Sequence, residues 1–122
     1  MSLKWKIRKP VRKSVKYGKY IKTKCCVICQ QRGVDLHHVY NRRCDDYICI
    51  PLCREHHNEG NVAYHKLGHD KFSKFHGIDL EMVIIKNLLN FADKEGVGVE
   101  YLKDLSFEEN YENITEKIHE KR

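Results

Sequence analysis

Residues 25 to 61, CCVICQQRGVDLHHVYNRRCDDYICIPLCREHHNEGN, decide how this chain is read, because cysteines and histidines cluster at both ends of a strand-forming stretch. Cys26 and Cys29 form a Cys-x2-Cys pair, and Cys53 and His56 form a Cys-x2-His pair after twenty-three intervening residues. Three thiolates and one imidazole at those intervals are the donor set of a closed, tetrahedral Zn2+ site. Cys25 is an alternative to Cys26, but only Cys26 leaves the two-residue gap. With four ligands assigned, His37, His38 and His57 are left over, and a closed structural site has no use for them.

Working outward, residues 34 to 40 and 47 to 52 have strand character, with the polar run 41 to 46 between them, so a short antiparallel hairpin is expected. Pro51 cannot donate to a central ladder and places the second strand at an edge or near its end. Gly33 suits a turn that needs positive φ. A helix is expected from Arg54 towards His65, with Cys53 and His56 at its start. Zinc would then tie the knuckle before the first strand to the start of that helix, bringing His37 and His38 near His57. Neighbouring strand residues point to opposite faces, so His37 and His38 cannot both ligate one ion without distortion.

Further on, residues 63 to 75 read as a helix or helix-turn broken by Gly77, and Asp79 caps a helix over 80 to 92. Leu80, Val83, Ile84, Leu88 and Phe91 form its apolar stripe, which reads as core. Residues 99 to 107 read as a connector, and 110 to 122 as a polar last helix that frays. The fold class is therefore α+β, a zinc-stapled hairpin and helix with additional C-terminal helices. Residues 1 to 24 read as a basic, extended arm, since Pro10 and Gly18 interrupt it and no apolar period persists.

At 122 residues the chain suffices for one domain with a modest core, which a metal staple would strengthen. No apolar run is long enough to span a membrane and no secretory signal opens the sequence, so a reduced, cytoplasmic setting is expected. That setting favours metal over disulfides for the six cysteines. The net charge of +6 hides an asymmetry: residues 1 to 24 carry ten Lys and Arg and no acid. With Trp5, Tyr17 and Tyr20 interleaved, this segment can neutralise phosphates and release counterions, which makes nucleic acid the expected partner. Charge of this kind does not separate DNA from RNA.

Three segments together carry a family resemblance: Cys26-x2-Cys29, the run Asp35-Leu36-His37-His38-Val39, and Pro51-Leu52-Cys53-Arg54-Glu55-His56-His57-Asn58-Glu59-Gly60, followed by residues 72 to 78. Over residues 25 to 80 the chain resembles the HNH, or ββα-metal, endonucleases, and in particular small phage and prophage members. The resemblance implies an HNH core at 25 to 80 between the arm at 1 to 24 and a helical extension at 81 to 122. It implies hydrolysis of DNA phosphodiesters at a divalent ion, in a bacterial host cell.

Carried over by position, His38 is the expected general base, and His37 and His57 the ligands of a catalytic ion, with Asn61 at the place of a further ligand. His65, one turn on, is a replacement for Asn61; otherwise His65, His69, His76 and His119 read as solvent or packing histidines. Nitrogen ligands favour Mn2+, Ni2+ or Zn2+ over Mg2+. The family's central asparagine has no clear counterpart; Asp45 or Asp46 is the nearest substitute for orienting the base, and Asn41 a poorer one. Arg42, Arg43 and Arg54 are expected phosphate contacts, and cutting both strands would call for a dimer. The alternative is a zinc module that binds DNA without cutting it, serving phage recombination or packaging.

Overall fold

The structure is a computed structural model and describes residues 12–39 and 45–121. The expected roles of Asn41, Arg42 and Arg43, and of the arm up to residue 11, lie outside the described residues. The chain forms helix α1 (Val15–Lys22), strand β1 (Val34–His38), a 3-10 turn (Asp46–Ile48) and strand β2 (Cys49–Cys53). A single π-helical turn (Glu55–Glu59) follows, then helices α2 (Tyr64–Leu67), α3 (His69–His76), α4 (Leu80–Lys94) and α5 (Phe107–Lys121). The class is α+β, and the described residues form one antiparallel two-stranded sheet. Among the described residues, no helix is long and apolar enough to cross a membrane.

The hairpin pairs Val34 with Cys53, His37 with Ile50 and His38 with Cys49. Its second strand begins later than expected: residues 46 to 48 turn instead, because Asp45 caps them by accepting from the Tyr47 N–H. Pro51 pairs with Leu36, and its carbonyl accepts from Val27 N–H at 3.1 Å, so the edge without a third strand is used by the knuckle. Gly33 turns into β1 at φ 79°, as its position suggests.

The helix expected from Arg54 to His65 is replaced by a π-turn, a bend and the short α2. Gly60 donates to the Glu55 carbonyl at 2.8 Å, and a Cβ at position 60 would sit 2.8 Å from that oxygen. Only glycine closes this five-residue turn, after which the chain changes direction.

Two end segments differ from expectation, both for packing reasons. Residues 15 to 22, read as extended, are helical: the Ser14 side chain caps α1 by accepting from Tyr17 N–H, and Tyr17 and Ile21, four apart, are buried. Tyr17 packs edge-on against Phe91 of α4, with ring centres 5.0 Å apart. Gly18 does not interrupt the helix; a Cβ there would lie 3.3 Å from Leu36 Cδ1, so its bareness lets α1 approach β1. The last helix is also docked and does not fray as a whole. Ser106 and Glu109 form a reciprocal capping box at its start, and Tyr111, Ile114 and Ile118 enter the core. Asp79 caps α4 as expected, and Leu80, Ile84, Leu88 and Phe91 of its stripe are buried.

Candidate metal centres

The hairpin, the knuckle before it and the turn after it bring Cys26, Cys29, Cys53 and His56 to one point. Cys29 Sγ is 3.7 Å from Cys53 Sγ, and His56 Nδ1 is 3.4 Å from Cys53 Sγ and 3.8 Å from Cys26 Sγ. Tetrahedral zinc with bonds of about 2.3 Å to sulfur and 2.0 Å to nitrogen spaces its ligands by roughly 3.5 to 3.8 Å. The four residues therefore fit a metal such as zinc, with no position left open. Burial raises the Cys26 thiol's pKa, but the backbone N–H groups around its sulfur, including Ile28 N–H at 3.4 Å, more than offset this and leave it lowered. Cys29 is pushed up to about 11 by burial, so binding must displace its proton. The described cysteines are free thiols; Cys25 stays outside the cluster, and Cys49 is a buried core thiol.

A second grouping lies on the opposite side of the hairpin strand from His38. His37, His57 and His65 place their ring nitrogens within 4.8 Å of one another. His57 Nε2 and His65 Nε2 are 3.2 Å apart, close to the roughly 3.3 Å between two nitrogens on one tetrahedral ion with bonds of about 2.05 Å. His37 is only 3 % exposed, and its Nε2 has no hydrogen-bond partner among the described residues. A buried ring nitrogen without a partner is costly unless something binds it. Burial, helped by His57 and His65, lowers the pKa of His37 to about 3, so the ring is neutral and its lone pair is retained far below neutral pH. Tyr64 packs across the His37 ring at 4.0 Å between centres and fixes its plane.

Behind this cluster, Asp35 Oδ2 sits 3.1 Å from His57 Nδ1 and accepts from Arg54 Nε at 3.3 Å. The hydrogen bond with His57, aided by Arg54, holds the Asp35 carboxyl below its usual range. A carboxylate on Nδ1 fixes the tautomer that presents the Nε2 lone pair, the arrangement found behind metal-binding histidines. The three residues thus fit a metal ion, and of their rings that of His65 is the exposed one.

Not every expected residue joins this cluster. Asn61 is exposed in the turn before α2, and the third nitrogen comes from His65. Asp35 lies two residues before His37 and so shares its strand face, a relation present in the sequence. The approach of His65 to His57 depends on the π-turn, which no local spacing announces. Arg54 is beside the cluster but is engaged with Asp35, and with Glu59 at 3.9 Å.

His38 faces the other way. Its Nε2 is 3.5 Å from Asp46 Oδ1, while Asp46 Oδ2 accepts from Ser14 N–H at 2.6 Å. Asp45 points into the core instead, where Tyr111 donates to its Oδ1 at 2.6 Å. Of the two acids, Asp46 reaches the histidine and Asp45 anchors the turn. His69 meets Tyr64, His76 the Val62 carbonyl and His119 the Tyr47 hydroxyl, as packing histidines do.

No curated protein and no solved structure matches the chain. One family model, described as protein of unknown function (DUF968), matches residues 5–96, which include every residue of both clusters and stop short of α5. The chain belongs to that family.

Proposed function

We propose that this protein is a metal-dependent HNH-type endonuclease that hydrolyses phosphodiester bonds in DNA. The observation that carries the reading is the unpartnered, buried Nε2 of His37 beneath the His57 and His65 nitrogens, with Asp35 behind His57. A zinc-shaped scaffold alone gives no reason for such a site. A divalent ion there supplies the charge that polarises a scissile phosphate and stabilises the leaving oxygen. Three imidazoles favour Mn2+, Ni2+ or Zn2+ over Mg2+.

The remaining roles fall to side chains. His38 is the base that takes the proton of the attacking water. With Nε2 turned towards Asp46, its Nδ1 is the nitrogen that accepts. Asp46, itself held by Ser14 N–H, keeps that ring and tautomer in place. Asp35 orients His57, and Tyr64 holds His37.

A second reading has one observation in its favour. His38 and His37 project from opposite faces of β1, which suits a zinc module that binds DNA without cutting it. Plasmid nicking titrated with Mn2+, Mg2+, Ni2+ and Zn2+ separates the two. The nuclease reading predicts nicking that falls by about 10²- to 10⁴-fold in His38→Ala. Equal background for wild type and variant at every metal would end it.

A further inference from the structure

The hairpin face that carries His38 borders a groove of about 350 Å³ between α1 and β1. Its floor is apolar: Leu36 and the bare backbone at Gly18 meet Val15, which is 74 % exposed in a helix whose other face is buried. Its rim is cationic. Lys19 and Lys22, one turn apart, line it, and neither has an ion-pair partner among the described residues. Lys16, one turn earlier on the same helix, is instead closed off by Glu95 at 2.6 Å. Asp46 ends the groove beside His38, with one oxygen on Ser14 N–H and the other towards the histidine.

An apolar floor under spaced, unpaired cations fits a ligand with a flat, sequence-tolerant face and a repeating negative charge, which describes a nucleic-acid strand. Upstream of α1 the sequence adds Lys4, Lys6, Arg8 and Lys9 without an acid. The volume is at the low end of the roughly 300 to 1,000 Å³ of small-ligand pockets, room for a single nucleotide and not for a duplex. We infer that this groove seats one unpaired nucleotide, its base or sugar on Val15 and Leu36 and its phosphates on Lys19 and Lys22. The inference deepens the nuclease reading by naming a substrate with a single-stranded segment beside His38.

Fluorescence anisotropy with the full chain, labelled single-stranded and duplex oligonucleotides and no added divalent ion tests binding apart from cleavage. The double variant Lys19→Gln/Lys22→Gln is expected to bind single strands about tenfold more weakly, with the slope of log affinity against log salt reduced by about 1.4, or 0.7 for each phosphate contact. Val15→Asp should weaken single strands and spare duplex, while Lys86→Gln on α4 changes neither. Unchanged binding by the double variant, equal losses on single strand and duplex, or displacement by polyglutamate as readily as by oligonucleotide would each overturn the groove. Cleavage by the wild type with unaltered variant binding sinks the groove and spares the nuclease reading. Weakened variant binding in a protein that cuts nothing does the reverse.

Discussion

Two groups of side chains able to hold a metal ion meet at one hairpin, and they differ in how they are closed. Cys26, Cys29, Cys53 and His56 surround a point with four protein ligands, two of the three thiols buried. His37, His57 and His65 supply three nitrogens graded from buried to exposed, with a carboxylate behind one and solvent in front. Four ligands complete a coordination sphere and leave nothing for a substrate, whereas three leave a place for water or phosphate. The two clusters nevertheless start from the same few residues, since His56 and His57 are neighbours in sequence.

The largest effect expected from this contrast is on folding. Strong chelation of the thiolate site, or Cys53→Ser, should unfold the chain, because zinc binding in such sites supplies on the order of 10 kcal/mol or more. Circular dichroism that survives both treatments would break the distinction from the structural side. From the other side, His65→Ala should remove Mn2+-dependent nicking while far-ultraviolet dichroism stays unchanged. Asn61→Ala should retain nicking; the opposite pattern would return the third ligand to position 61.

A smaller effect sharpens the role of the carboxylate. Asp35→Asn should weaken the second ion by about 10- to 100-fold, read by Mn2+ titration, with zinc content unaltered. An equal loss of zinc would mean that Asp35 supports the hairpin in general.

The smallest separates both clusters from the scaffold that carries them. Tyr111→Phe removes the donor to buried Asp45 and should cost about 2 kcal/mol in urea unfolding. Burial and the Asp45 carboxylate raise the Tyr111 pKa well above 10. A raised folded pKa means stability is full below pH 10 and falls as pH rises beyond it, where the unfolded tyrosine ionises first. The variant should therefore show a shallower alkaline loss; an identical pH profile would detach Tyr111 from that behaviour.

How far the sequence led differs from one residue to the next. The interval rule found the four ligands of the closed cluster, since short-range pairs fix which donors meet. Strand alternation separates His37 from His38 and puts Asp35 on the His37 face, while the contact of Asp35 with His57 comes only from the fold. By contrast, α1 is hidden in the sequence, because Gly18 looks like a helix breaker until Leu36 packs against it. In α5, Tyr111, Ile114 and Ile118 sit among so many charges that their face emerges only when the core is there to receive it.

Local patterns thus account for the hairpin, the cap on α4 and the thiolate cluster, because each is announced by a short motif: strand alternation, an Asp before an apolar stripe, and two ligand pairs of one repeated interval. The open cluster, the reach of Asp46 to His38 and the groove under α1 depend on where a π-turn redirects the chain and where two helices dock. Those contacts follow from no motif spacing, and only packing of the whole core selects them.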